Sequence, residues 1–355
     1  MNSNIVIGAN NGYSFKHYNT NNGLSQNSVR TILQDSLGFM WFGTKDGLNR
    51  FDGTTFKLFK FSPDGILSDN VFNRIIQDSG NNIWLSTDEG VYIYNQYREH
   101  FHLFDRKTND NDSVSGVVTD MVADEDGDIW MSVEGKGVFH YNQADDLLNF
   151  YSIPIVEDGM KMVCLYPDND KGIWVFPYSS LIIYIDKVKE EVSQFNLEDD
   201  PELLLETGEV LDVYSDHNNI LLLATSQKGL VAINTVNKTH KILLDKDANE
   251  QPLFVRTIER IDPNTLWIGT ESGIFILSTS SNNITNLRHN PAIPNSLSDN
   301  AIYSIYKDRD GGVWVGSYFG GVDYYSNINN NFELFYPVLN EQSLKGKRVR
   351  EFCNA

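Results

Sequence analysis

A unit of about 45 residues recurs along this chain, and a repeat of that length restricts the fold more than any single motif does. The segment from Val29 through Asp35, Gly38, Trp41-Phe42-Gly43-Thr44 and Asp46-Gly47-Leu48 returns from Asn73 through Asp78, Gly80, Trp84, Thr87 and Gly90-Val91. Further copies centre on Trp130, Trp174, Trp267 and Trp314, and a weaker one carries Leu222 where the others have Trp. The centres are 43 to 48 residues apart, and all six tryptophans of the chain fall on the repeat.

Each unit reads as four short strands. In the first, Ser28 to Leu33, Phe39 to Thr44, Leu48 to Phe51 and Thr54 to Phe59 are separated by turns carrying Gly, Asn or Asp, the residues that tolerate tight hairpin geometry. A four-stranded unit cannot bury both faces alone, so it must pack on its neighbours, and the repeated Trp with flanking Ile, Val and Leu supplies that core. Four strands at this period are the signature of a propeller blade. The expectation is an all-β fold, a seven-bladed β-propeller with four antiparallel strands per blade, in which the Trp stripe is structural.

The ends add detail. Phe15-Lys16-His17-Tyr18 resembles the fourth-strand segments Phe56-Lys57-Leu58-Phe59 and Phe101-His102-Leu103-Phe104 but precedes the first unit. Asn331-Phe332-Glu333-Leu334-Phe335 resembles them too, so either Phe15 to Tyr18 or Phe332 to Tyr336 supplies the closing strand. Ser343-Leu344 through Cys353 repeats the opening of a unit, as though the chain were cut inside a longer array. The expected organisation is a disordered or processed stretch over 1–12, the propeller over 13–336, and over 337–355 a linker with the first strand of a following repeat.

Composition narrows the function classes. The chain is 41% hydrophobic, enough for a large core, and its 48 acidic against 28 basic residues give a net charge of −20. A field of that sign repels phosphate, which argues against a nucleic-acid partner. Cys164 and Cys353 form no CxxC or Cys/His cluster, and Cys164 lies in an apolar run, where a buried free thiol is expected. No stretch reaches the roughly 18–20 apolar residues of a membrane span, and Met1-Asn2-Ser3-Asn4 lacks a signal peptide's basic and apolar regions, which leaves a cytoplasmic or a processed chain.

The combination Leu24-Ser25-Gln26-Asn27-Ser28-Val29, Asp35, Gly38, Trp41-Phe42-Gly43-Thr44 and Asp46-Gly47-Leu48-Asn49-Arg50-Phe51-Asp52 closely resembles the two-component regulator propeller repeat. Leu67-Ser68-Asp69-Asn70 and Leu297-Ser298-Asp299-Asn300 repeat its opening. The fourth unit departs from it, with Phe176-Pro177-Tyr178 replacing the Gly-Thr pair, and so does the fifth, which lacks Trp. The resemblance implies a periplasmic sensor of a hybrid two-component histidine kinase of the Bacteroidetes type, detecting an oligosaccharide and controlling polysaccharide-utilisation genes. It also implies a following propeller and signalling domains in the same receptor, attachment to the membrane only through that C-terminal part, a homodimeric full receptor and no cofactor. The fragment itself would not be an enzyme; the alternatives are a propeller enzyme acting on glycans, lyase or sialidase-like, and a purely structural propeller.

The residues carry no catalytic constellation. Asp124-Glu125-Asp126-Gly127-Asp128 has the wrong Gly and Glu positions for an EF-hand loop and reads as a solvated turn. That turn faintly resembles the Asp-box of sialidases, but the Asp is read as keeping no fixed offset from Gly and Trp. His17, His100, His102 and His240 fall on outer strands, and no GxSxG, HExxH or phosphate-binding loop occurs. No metal site is expected. Binding is easier to place, because first-strand starts and second-to-third-strand turns share one face around the axis of a propeller. Arg30, Arg74, Arg256 and Tyr303 lie at first-strand starts, and Lys45, Asp46, Tyr178, Glu271, Tyr318 and Phe319 in or near those turns. Aromatics beside charged groups are suited to stack on and hydrogen-bond a sugar, and Tyr178 and Tyr318-Phe319 stand out because they replace smaller residues.

Overall fold

The computed structural model describes residues 5–7, 12–60, 71–153, 163–168, 171–177, 181–198, 207–215, 219–281 and 283–326. Alternating apolar residues between Gly- and Asp-containing turns produce seven antiparallel sheets, six of four strands and one of five. In the first, Val29–Gln34, Met40–Thr44, Gly47–Phe51 and Phe56–Phe59 are hydrogen-bonded in that order, and the first strands of all seven sheets stand side by side in a closed ring. The fold is the seven-bladed β-propeller that the repeat implies.

Of the two closing strands left open by the sequence, the N-terminal one closes the ring. Phe15–Tyr18 pairs antiparallel with Val322–Tyr325, the third strand of the seventh blade. Phe332 to Tyr336 and the segment 337–355 lie outside the described residues. A shorter strand, Ile5–Ile7, runs parallel to Ile284–Leu287 and adds a fifth strand to the sixth blade, within the stretch expected to be disordered or processed.

The apolar side chains form no common centre. They gather in seven clusters, each between consecutive blades, such as Trp84, Val91 and Ile93 against Met121, Ile129 and Met131. The N-terminal strand serves two of these cores: Phe15 joins the one between blades six and seven, and Tyr18 the one between seven and one. Every blade therefore depends on both neighbours, and the ring on its closure.

The Trp stripe is structural, as expected, but its partner is a surprise. The indole Nε1–H of Trp41 donates to Asp35 at 2.7 Å, of Trp84 to Asp78 at 2.8 Å, of Trp130 to Asp124 at 3.1 Å and of Trp314 to Asp308 at 2.9 Å. The expectation of a drifting Asp is thus overturned. Asp stands six residues before Trp in each of these blades, and only the turn Gly between them moves, because the carboxylate must reach back over the hairpin to the buried indole.

The Gly-Thr pair after Trp also has a packing reason. A Cβ at Gly43 would fall 2.5 Å from Thr31 and 3.0 Å from Phe72, so glycine admits the next blade's first strand. The hydroxyl that follows pins the turn at the channel mouth: Thr44 donates to the Gly47 carbonyl at 2.7 Å, Thr270 to Gly273 at 2.8 Å and Ser317 to Gly321 at 3.1 Å.

Candidate functional site: the axial channel and its mouth

Where the first strands meet, they leave a central cavity of about 650 Å³. Its lining depends on one irregularity. In six blades the first strand carries a β-bulge against the second, between Val29 and Thr31, Phe72 and Arg74, Val118 and Asp120, Val210 and Asp212, Val255 and Thr257, and Ile302 and Ser304. A bulge breaks the two-residue alternation, so two successive residues face the axis. Both members of Arg30-Thr31, Asn73-Arg74, Thr119-Asp120, Arg256-Thr257 and Tyr303-Ser304 line the cavity. In the fourth blade the pairing of Val163 and Cys164 with Pro177 and Phe176 runs unbroken, and Cys164 fills the ring position.

Inside, the ring is acidic and tied to the fold. Asp120 accepts Arg74 Nε at 2.9 Å and the backbone N–H of Leu165 in the next blade at 2.9 Å. Asp212 accepts Thr257 Oγ1 at 3.0 Å and the N–H of Ile258 at 2.9 Å, again across a blade boundary. Burial outweighs the nearby Arg74 and raises the Asp212 carboxyl above its usual value. Burial, with the charge of Asp212 added, pushes Glu259 up to about 8. The Cys164 thiol is held well above its ordinary value by burial and by Asp120 and Asp212, which makes it an inert, protonated group. It is buried and free, as expected.

At the mouth the character changes. Lys45 Nζ lies 4.0 Å over the Tyr318 ring, and Tyr318 stacks on Tyr303 at 5.3 Å. The Arg256 guanidinium lies 4.1 Å over Tyr303 and 4.4 Å over Phe254. These residues form one column across blades one, seven and six, with the Tyr318-Tyr303 ring pair held between the two cations. Phe319 meets Tyr318 edge-on at 4.3 Å and is 73% exposed, an apolar ring offered to solvent at the rim. Arg256 is held by Glu271 Oε1 at 2.5 Å, and Arg30 Nη1 donates to Asn73 Oδ1 at 2.6 Å. Lys45, donating to the Tyr318 hydroxyl, with Arg30 and Arg256 beyond, lowers the phenol below its usual value.

The structure thus brings together Arg30, Arg74, Arg256 and Tyr303 on the channel wall and Lys45, Glu271, Tyr318 and Phe319 around its rim. Asp46 is engaged by Lys60 of the outer-strand exit, and Tyr178 lies outside the described residues. The sequence reading missed Asp120, Asp212, Glu259, Asn73 and Phe254. For Asp120 and Asp212 the signal is positional: Thr31, Arg74, Asp120, Cys164, Asp212, Thr257 and Ser304 all lie two residues before the partner of the central Trp or Leu, and Glu259 is itself that partner.

The acidic turn at Asp124 is more than a solvated loop. Asp124 takes the Trp130 indole and Lys187 Nζ at 2.9 Å, and Asp128 takes His140 Nε2 at 3.0 Å. Asp124, Asp128 and His140 are close enough to share an ion, but the Lys187 ammonium already contacts Asp124 there. His100 and His102 lie on the exposed outer strand His100–Leu103 and His17 on the closing strand, away from the channel.

Residues 23–46 and 296–319 match the two-component regulator propeller family. Over 55 residues, 16% of this chain and 4% of the relative, the chain is 49% identical to Histidine kinase P4 of Formosa agariphila. Among solved structures, the extracellular domain of BT3049 from B. thetaiotaomicron, described as a hybrid two-component system, superposes with a TM-score of 0.79 at 24% identity, over 96% of this chain and 45% of its own. The extracellular domain of BT4673, described likewise and from the same organism, gives 0.70 at 19% identity over 91% of this chain and 43% of its own. At these identities the likeness is one of fold. The chain spans less than half the length of either domain, and among the described residues no helix is long and apolar enough to cross a membrane.

Proposed function

We propose that this chain, built from two-component regulator propeller repeats, is a ligand-sensing module of an extracytoplasmic, periplasmic receptor of the hybrid two-component class, and that its ligand is a glycan-derived oligosaccharide bound at the channel mouth. The Lys45-Tyr318-Tyr303-Arg256 column with exposed Phe319 carries this reading. Stacked rings next to charged donors, at the open end of a cavity, are what a sugar needs for its apolar face and its hydroxyls. In the full receptor, occupancy would act by favouring one of two domain arrangements and so control polysaccharide-utilisation genes.

Calorimetry of the chain against a panel of oligosaccharides tests the reading. A binder should be found whose affinity falls at least about tenfold in Tyr318→Ala and in Phe319→Ala, as loss of an aromatic contact predicts. Unchanged affinity in both variants would place the site elsewhere, and no binding by any oligosaccharide would leave a structural role. Two channel carboxyls, Asp212 and Glu259, are raised as that of a glycosidase acid is, but Asp212 is spent on the backbone N–H of Ile258 in the next blade. Turnover of an oligosaccharide would overturn that view.

A further inference from the structure

The chain carries a net charge of −20, yet the rim gathers three cations around one phenol. Their neutralisation is uneven. Arg256 is closed off by Glu271. Arg30 spends one of its donors on a neutral amide, Asn73 Oδ1, and Lys45 faces the Tyr318 ring and hydroxyl. Among the described residues, no carboxylate forms a salt bridge with either. Several other acids of this face are occupied: Asp46 by Lys60, Asp88 by Asn73 Nδ2 at 3.0 Å, and Asp299 by the backbone N–H groups of Asn300 and Phe319 at 2.7 and 2.9 Å, while Glu209 lies close enough to feel the charge of Arg256. Four of the five guanidinium donors of Arg30 therefore remain available beside an ammonium, in a concave mouth that focuses their field.

Below the rim, among the described residues, no such cation stands free: the Arg74 guanidinium is paired with Asp120, and Asp212 and Glu259 complete the wall. A negative group would be attracted to the mouth and would meet no unpaired cation deeper in the channel, so the two layers would hold it at one height.

We propose that the ligand is an acidic oligosaccharide, whose carboxylate or sulfate sits between Arg30 and Lys45 while a sugar face rests on Phe319. This rests on the oligosaccharide reading above and specifies its chemical class. Arginine matches the planar pair of oxygens that both anions present, and lysine adds a point charge.

The test compares twins of one sugar backbone by calorimetry on the purified chain: oligogalacturonate against its methyl ester, and sulfated against unsulfated keratan disaccharide, which has no uronate. One acidic member should bind at least about tenfold more tightly than its neutral twin at low salt, and which pair shows the preference separates carboxylate from sulfate. The preference should shrink as NaCl rises from about 50 to 500 mM. Arg30→Gln with Lys45→Gln should abolish it, bringing the acidic member's affinity down to that of its neutral twin, and Lys57→Gln, on the outer strand, should leave it intact. Equal binding of both twins, or a preference that survives the double variant, overturns the inference while leaving the oligosaccharide reading in place. If no sugar of either charge binds, the oligosaccharide reading falls and this inference with it.

Discussion

Replacing Phe15 by Ala tests ring closure at a single side chain. Phe15 is 2% exposed and belongs to the strand that completes blade seven, with Trp267 and Tyr325 at 6.4 and 5.9 Å between ring centroids. Truncation removes the ring's transfer energy and leaves a cavity between blades that the rest of each sheet holds open, a loss of about 3–5 kcal/mol. That is a large share of the roughly 5–15 kcal/mol that stabilises a folded protein. With a urea m-value of about 3 kcal/mol/M, the midpoint should fall by about 1–1.7 M, read by tryptophan fluorescence. Leu58, in the corresponding outer strand of blade one, is 45% exposed, and Leu58→Ala should cost under about 1 kcal/mol. If Phe15→Ala costs no more than Leu58→Ala, the N-terminal strand does not hold the ring closed and the reasoning fails.

Three other outcomes follow from the geometry. Asp35→Ala strands the buried Trp41 indole and two turn N–H groups, so it should cost at least about 1–3 kcal/mol in urea unfolding; a cost under about 0.5 would refute the Asp-Trp tie. His17 faces the Asp323 carboxylate at 2.6 Å and the Pro294 carbonyl at 2.9 Å, two acceptors that only the doubly protonated ring can satisfy, and the hydrogen bond to Asp323 raises its pKa. Its contribution is therefore complete below the ordinary value near 6.5 and fades as pH rises through the raised one, so the stability gap between wild type and His17→Gln should be larger at pH 6 than at pH 9. Glu259, raised from 4.5 to about 8, makes the folded chain bind the extra proton and lose stability as pH rises through that interval; Glu259→Gln should flatten the decline, and superimposable pH curves would contradict it.

The propeller was legible because each blade must satisfy the same packing on both sides, which forces Trp, Gly-Thr and turn residues to recur at one period. The rim was legible because the repeat puts first-strand starts, with Arg30 and Tyr303, and second-to-third-strand turns on one face, and because Tyr318 and Phe319 replace smaller turn residues there. The inner ring was hidden by the bulge. Simple alternation allows only one of Arg30 and Thr31, or of Thr119 and Asp120, to face the axis, whereas both do. Ring closure is a contact between residues some three hundred positions apart, and Phe15–Tyr18 and Phe332–Tyr336 read alike until Val322–Tyr325 is seen to take the former. The parallel pairing of Ile5–Ile7 involves only three residues, too few to show a period.

The central claim is that the mouth built from Arg30, Lys45, Tyr303, Arg256, Tyr318 and Phe319 is where the ligand binds. A crystal structure of the chain with its tightest-binding oligosaccharide tests it most directly. The account predicts a sugar ring stacked on Phe319 beside Tyr318, with its anionic group between Arg30 and Lys45. A sugar seated on an outer strand or on the opposite face, with the mouth unoccupied, would contradict it.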